Sequence, residues 1–246
     1  MKRVFCFCCM LLLLLTAFAR AAESAWPTAQ ELFGQNPAPD VPLSCDPRID
    51  PLIVLVNKTY ALPGSYVPEL TDVTVPHKPG ISTQQMQPEA AEALARLFAA
   101  AEADGIVLGM VSGYRSFAIQ KAIHARKVAE KGRAAELTSA PAGKSEHQLG
   151  LAADVSCASI SYRLNAIFGS TAEGQWLEEH CAEYGFIIRY RAEWQDITGY
   201  KAEPWHIRYV GPEHARLVMD LRVPYEVYME YMQLCWNAKP HLPLNP

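Results

Sequence analysis

The stretch Ser145-Glu-His-Gln-Leu-Gly-Leu-Ala-Ala-Asp154 and the later tetrapeptide Glu203-Pro-Trp-His206 decide how this chain is interpreted. His147, Asp154 and His206 offer two imidazoles and one carboxylate, which can occupy three corners of a tetrahedral zinc site and leave the fourth for water. Bound zinc brings the pKa of such a water to about 7, and a nearby carboxylate can take its proton during attack on a carbonyl. We therefore interpret Glu203 as the base, and the pattern indicates hydrolysis.

The residues around the ligands predict how the two segments fold. Leu149 to Val155 is a short apolar run that is typical of a buried strand, and Gly150 and the small Ala152 and Ala153 allow close backbone packing. Pro204 lacks an N–H and fixes φ, which predicts a rigid turn or the irregular start of a strand for the second segment. This spacing therefore differs from the His-Glu-x-x-His motif, in which both histidines share one helical face.

These segments, with Ser112-Gly-Tyr-Arg-Ser116 upstream of them, resemble the zinc D-alanyl-D-alanine carboxypeptidases of the VanY type. The resemblance extends from about Leu52 to about Tyr231. The wider group includes the D-Ala-D-Ala dipeptidases and shares its fold with the hedgehog signalling domain. The resemblance implies one Zn²⁺ per chain, held by the three ligands named above, with Glu203 as the base and zinc in a surface cleft.

The order of the predicted elements indicates an α+β fold. Helices come early and late around a few non-adjacent strands, rather than alternating with them. With the resemblance, this predicts a small, mostly antiparallel sheet flanked by helices. The predicted helices span 88–104, 117–131, 173–184, 212–221 and 224–236, and the predicted strands span 52–56, 106–111, 186–190 and 206–210.

Arg115 follows a predicted strand and is the best candidate for a residue that contacts substrate during the reaction. Its guanidinium could pair with the free C-terminal carboxylate of a peptide, or it could polarise the scissile carbonyl. Four further residues are candidate substrate contacts, but each could instead have a structural role. Those roles are the cap of a turn, a solvent-exposed position on a helix, or an aromatic side chain packed in the core. The four residues are Ser145, Gln120, Tyr114 and Trp205.

The first 21 residues are typical of an export signal. Lys2 and Arg3 precede an almost wholly apolar stretch from Val4 to Phe18, and Ala19-Arg20-Ala21 fits a small-x-small cleavage site. The apolar stretch is shorter than the roughly 18 to 20 residues that a spanning helix usually needs. We therefore expect cleavage rather than a permanent membrane anchor, and an exported product that is periplasmic, extracellular or associated with the cell wall.

Cleavage removes three basic residues and no acidic one, which takes the formal net charge from −4 to −7. Because nucleic-acid binding needs a basic surface, we expect no nucleic-acid partner. The mature chain is long enough for one domain, and we expect a monomer without a membrane span. The predicted organisation is a signal peptide (1–21), an arm (22–51), a zinc carboxypeptidase domain (52–236) and a tail (237–246).

Four cysteines remain after cleavage: Cys45, Cys157, Cys181 and Cys235. An even number in an exported chain permits one or two disulfides, with three possible complete pairings. The alternative is that Cys157 and Cys181 are small buried hydrophobic residues. The sequence leaves both readings open.

The resulting hypothesis is an exported zinc carboxypeptidase that removes the terminal D-alanine from peptidoglycan stem peptides or muropeptides. L,D-carboxypeptidase and D,D-endopeptidase activity remain open. A Ser-His-Asp hydrolase is excluded because no Gly-x-Ser-x-Gly elbow surrounds Ser145. A non-catalytic zinc-containing cell-wall binding domain is the alternative from another class, although such a domain has no need of Glu203 or Arg115.

Overall fold

A computed structural model of the protein describes residues 51–238. The predicted signal peptide lies outside the described residues, as do the predicted arm up to residue 50 and the tail from residue 239. In the described part of the chain, no helix is long and apolar enough to cross a membrane.

A four-stranded antiparallel sheet forms the centre of the described chain. Its strand order is β3-β4-β6-β5, and a separate two-stranded ribbon pairs β1 with β2. The strands are β1 (Thr71–Asp72), β2 (Gln85–Met86), β3 (Gly109–Ser112), β4 (Ala152–Ser156), β5 (Phe186–Tyr190) and β6 (Glu203–Tyr209).

The described part of the chain contains six α-helices. The first begins with a proline, whose missing N–H costs nothing at that position, and buries an apolar stripe that includes Leu94, Leu97 and Phe98. The second begins at the N-cap Ser116, whose hydroxyl accepts a hydrogen bond from Ile119 N. The helices are α1 (Pro88–Ala103), α2 (Phe117–Lys131), α3 (Ala172–His180), α4 (Gln195–Thr198), α5 (Pro212–Leu221) and α6 (Tyr225–Ala238).

The pairing of β6 with its neighbouring strands places the candidate site residues. On the β4 side, His206 is the direct cross-strand partner of Asp154. On the β5 side, Ile188 pairs with Ile207 but Tyr190 pairs with Glu203, so β6 contains extra residues at this point. A regular strand places residues three apart on opposite faces, whereas this irregularity allows Glu203 and His206 to line the same cavity.

The α+β class and the small antiparallel sheet flanked by helices are confirmed. The bounds predicted for α2, β5 and α5 agree with the structure. The strand predicted at 52–56 is wrong: the chain forms a 3₁₀ turn at Pro51–Ile53 and then runs without strand pairing. The buried guanidinium of Arg208 donates to Leu52 O and Val54 O at 2.8 and 2.9 Å, so these carbonyls are satisfied without a neighbouring strand.

Cys157 and Cys181 are fully buried free thiols within the main hydrophobic core. They therefore behave as the small apolar residues that the second sequence reading described. Burial raises the pKa of the Cys181 thiol to about 12, which keeps it protonated at physiological pH.

Candidate metal centre and cleft

The three predicted ligands come together in the structure from different elements. His147 lies in a 3₁₀ turn (Glu146–Leu149), Asp154 in β4 and His206 in β6. Each offers a ligand atom, and these atoms all lie within 4.8 Å of one another. All three side chains are buried, and all three line one cleft.

The ring of His147 is fixed by its backbone contacts. Its Nδ1 lies 2.7 Å from Gly113 O and donates to it, because a carbonyl oxygen can only accept. A Cβ at position 113 would come within 2.6 Å of Gln85 O, so glycine is needed for the close approach of residue 113 to Gln85. Gly150, with φ of +71°, ends the turn in the left-handed region.

The opposite nitrogen of His147, Nε2, is buried and makes no hydrogen bond to any described residue. It lies 3.4 Å from Asp154 Oδ2. Burial lowers the pKa of His147 to about 4, so the imidazole is neutral at physiological pH. A neutral imidazole with an unpaired, inward-facing nitrogen is the form that binds a metal ion.

His206 lies between two carboxylates. Its Nδ1 is 3.2 Å from Asp154 Oδ1, and its Nε2 is 3.2 Å from Glu146 Oε2. Burial alone lowers the pKa of His206, but hydrogen bonds to Asp154 and Glu146 outweigh it and raise the pKa to about 9. The Nδ1 side therefore faces Asp154, while the Nε2 side faces Glu146.

Glu203 lies at the start of β6 and lines the same cleft as the ligands. Burial raises the pKa of its carboxyl to about 7, an effect that neighbouring Asp154 strengthens and His206 opposes. Proton transfer is most effective when the pKa of the acid–base group is near the working pH. Glu203 therefore has the position and the chemistry expected of a general base.

Arg115 is held beside the ligands by its own backbone, whose N–H donates to His147 O at 3.1 Å. Its Nη2 is 3.8 Å from Asp154 Oδ2, and its Nε is buried without a hydrogen-bond partner in the described chain. The side chain is 22% exposed and lines the cleft. It can thus present unpaired N–H groups to an anion bound near the ligands.

A cleft of about 670 Å³ contains this constellation. Ser145, Gln120 and Trp205 line it, whereas Tyr114 is not among its lining residues. Gln120 is buried on α2 rather than solvated, because its Nε2 donates to Ala140 O at 2.6 Å. Ser145 precedes the 3₁₀ turn and makes no side-chain capping bond to it.

Besides Arg115 Nε and His147 Nε2, three further polar atoms of cleft-lining residues are buried and have no hydrogen-bond partner among described residues: Gln120 Oε1, Ser139 Oγ and Tyr200 OH. Such groups are costly unless something satisfies them, which makes them candidate contacts for a bound molecule. The sequence interpretation missed Ser139. Ser139 is buried in the cleft wall, and only the fold shows that this particular side chain lies there.

Glu146 is the other residue that the sequence interpretation missed. Its side chain is completely buried, and Arg189 and Arg208 each donate to Oε1, at 2.9 and 3.1 Å. Burial raises the pKa of this carboxyl, but the two guanidinium groups more than offset that and hold it well below its usual range. The sequence feature that could have indicated a role for Glu146 is its position between Ser145 and His147, inside the first segment that supplies ligands.

The residues present fit a zinc ion. Two imidazoles and one carboxylate form the ligand set of many catalytic zinc sites, and the orphaned Nε2 of His147 would gain a partner. The backbone carbonyl behind Nδ1 supplies the outer hydrogen bond that metal-bound histidines usually have.

Comparisons with known proteins show which family the chain belongs to. The family model described as VanY, D-alanyl-D-alanine carboxypeptidase, matches residues 83–212. The putative carboxypeptidase YodJ of Bacillus subtilis (strain 168) is 45% identical over 183 residues, which cover 73% of this chain and 67% of that protein.

Two solved structures are also similar. The LdcB LD-carboxypeptidase shares 46% identity with a TM-score of 0.68, and the match covers 72% of this chain and 85% of that one. A mutant of the vancomycin-resistance D,D-pentapeptidase VanY, in complex with Zn(II), shares 34% identity with a TM-score of 0.61, covering 74% of this chain and 98% of that one. The protein whose buried His-Asp-His cluster faces Glu203 and Arg115 therefore belongs to the VanY family of D-alanyl-D-alanine carboxypeptidases.

Proposed function

We propose that this protein is an exported zinc carboxypeptidase that removes the C-terminal D-alanine from peptidoglycan stem peptides. The observation that carries the proposal is the coincidence, in one cleft, of a buried His-Asp-His cluster with a carboxyl group of pKa about 7. Family membership supports the peptidase chemistry. The apolar segment that precedes Ala19-Arg20-Ala21 supports export, where the cell-wall substrate lies.

In the proposed reaction, three residues hold the metal and a fourth transfers protons. When bound by His147, Asp154 and His206, zinc would supply Lewis acidity for the attack of water on the scissile carbonyl. Glu203 takes the proton of the attacking water and passes it to the leaving amine. A carboxyl group whose pKa burial raises toward neutrality is suited both to accept a proton and to return it.

The cleft walls supply substrate contacts that fit a short anionic peptide. Gln120, Ser139 and Tyr200 line the cleft, and their amide and hydroxyl groups are of the kinds that pair with peptide N–H groups and carbonyl oxygens. Lys127, Lys131 and Lys201 also line the cleft, and none forms an ion pair with another described residue. These ammonium groups favour a substrate with free carboxylates, although the chain as a whole is acidic.

A direct test measures D-alanine released from UDP-muramyl pentapeptide and from the corresponding tetrapeptide, with and without a chelator. We expect release from the pentapeptide that is abolished by the chelator and restored by zinc. If the zinc-loaded protein releases D-alanine from neither substrate, the carboxypeptidase proposal is wrong. Zinc bound at one equivalent without any hydrolysis would favour the non-catalytic binding domain.

L,D-carboxypeptidase activity is the second candidate, because the similarity to the LdcB LD-carboxypeptidase specifically favours it. The two activities differ in the residue before the terminal D-alanine, and the tetrapeptide arm separates them. Release from the tetrapeptide alone would establish the L,D reading in place of the D,D one.

Replacing Arg115 with alanine is expected to lower kcat/KM by about 10- to 100-fold, since a hydrogen bond to a charged group is typically worth about 1.5–3 kcal/mol. The loss should appear mainly in KM if the guanidinium holds the terminal carboxylate, and mainly in kcat if it stabilises the developing oxyanion. Steady-state kinetics on the pentapeptide measures both.

The matched control for Arg115 is the same peptide with a C-terminal amide. If Arg115 holds the carboxylate, the wild-type enzyme should discriminate strongly against the amide and Arg115→Ala should not. Unchanged kinetics of Arg115→Ala on the free acid would exclude both roles.

A further inference from the structure

A buried network of four charged side chains lies directly behind the metal ligands. Glu146 Oε1 accepts from Arg189 Nε at 2.9 Å and from Arg208 Nη1 at 3.1 Å. The remaining nitrogens of Arg189 form a bidentate pair with Glu226 on α6, at 2.9 and 2.7 Å. The side chains of Glu146, Arg189 and Arg208 are 0% exposed.

The network balances its own charge. Two carboxylates face two guanidinium groups, so Glu146 does not require a positive charge on His206 as a partner. Both arginines contact Oε1 of Glu146, which leaves Oε2 directed at His206 Nε2, 3.2 Å away. A carboxylate held in this way can accept a hydrogen bond from a neutral imidazole.

We propose that Glu146 is a positioning residue that holds the His206 ring with Nε2 protonated and the Nδ1 lone pair directed at the metal. The inference rests on the metal site of the proposed function but not on its substrate or reaction. Histidine ligands generally donate their second N–H to a carboxylate, a carbonyl or water, and this contact selects the tautomer and orients the ring. His147 uses Gly113 O for this purpose, and His206 uses Glu146.

The ring contacts of His206 cannot replace this one. The Tyr190 ring lies 5.1 Å away and tilted by 43°, and the His147 ring lies 4.9 Å away nearly edge-on. Ring packing restricts the plane of the imidazole but does not distinguish its two nitrogens. Without Glu146, Nε2 would lack its hydrogen-bond acceptor, and the contact of Nδ1 with Asp154 Oδ1 at 3.2 Å would favour the tautomer protonated at Nδ1.

The experiment compares Glu146→Gln, Glu146→Asp and the control Glu226→Gln. Zinc affinity is measured on the full chain by competition with a chromophoric chelator, and ligand geometry is followed by the visible absorption of the Co²⁺-substituted protein. Loss of such an outer contact typically weakens metal affinity about 10- to 100-fold. We expect that loss, with an altered Co²⁺ spectrum, for both Glu146 variants.

Glu226→Gln removes a charge from the same network, on the far side of Arg189, without touching His206. We expect it to lower thermal stability but to leave zinc affinity and the Co²⁺ spectrum as in the wild type. Glu146→Asp retains the charge that the arginines require and only withdraws the carboxylate by one methylene. It therefore guards against misfolding of Glu146→Gln.

Wild-type zinc affinity and Co²⁺ spectra in both Glu146 variants would overturn the inference. Equal weakening in Glu226→Gln, or failure of both Glu146 variants to fold, would also overturn it, since Glu146 would then act through the fold. These readouts need no turnover. A protein whose zinc affinity depends on Glu146 but which hydrolyses no stem peptide would refute the proposed function and leave this inference standing.

Discussion

Replacing Glu203 with glutamine is expected to leave zinc in place and to lower kcat by about 10²–10⁴-fold, the usual cost of losing a general base. Glutamine is nearly isosteric with glutamate but cannot take a proton from water. Glu203 is not a member of the His147–Asp154–His206 cluster, so the metal should remain. The variant also removes a carboxyl whose pKa burial has raised to about 7, so the fold should not depend on its charge.

Metal analysis and stem-peptide kinetics on purified Glu203→Gln decide this prediction. The loss should fall on kcat more than on KM, because the base acts in the transition state. Near-normal turnover would show that another group accepts the proton. Loss of zinc from the variant would instead make Glu203 part of the metal site.

Replacing His206 with alanine should remove the metal itself. Only His147 and Asp154 would remain, and two protein ligands are fewer than the three that catalytic zinc sites use. The change also leaves Asp154 and Glu146 without the imidazole that separates them. We therefore expect less than stoichiometric zinc and activity at least as low as that of Glu203→Gln.

His180→Ala is the matched control, because His180 is partly exposed on α3, pairs with Glu183 and lies outside the cleft. It should retain zinc and turnover. Stoichiometric, tightly held zinc in His206→Ala would contradict the ligand assignment, since it would require a replacement ligand.

The centre of the site could be predicted from the sequence because its residues occur in two short segments with informative spacing. Asp154 and His206 were assigned as ligands together, and the structure makes them cross-strand partners. The irregular pairing of β6 could not be predicted in detail, although Pro204 indicated an interrupted strand. Register depends on partners that lie far away in the chain.

Glu146 shows why the surroundings of the site were harder to predict. A glutamate beside a ligand histidine is ordinarily solvent-exposed, and charged residues are buried only when paired. Its partners Arg189 and Arg208 lie 43 and 62 residues further along, in strands whose sequences gave no sign of inward-facing arginines. The strand predicted at 52–56 is wrong for the same reason. Backbone carbonyls in this segment accept hydrogen bonds from the distant Arg208 side chain, not from a neighbouring strand.

The bidentate contact between Arg189 and Glu226 bears on where the autonomous folding unit ends. The family match begins at residue 83 and stops at residue 212, so it contains all three proposed metal ligands but excludes Glu226 and the carbonyls of Leu52 and Val54. A chain trimmed to that match would retain the buried Arg189 and Arg208 but only one of the two carboxylates that pair with them, Glu146. Removing one partner of a buried ion pair costs about 3–5 kcal/mol, a large part of the stability of an ordinary domain. The smallest self-sufficient form of this enzyme therefore has to extend from the segment at Leu52 through the first turns of α6.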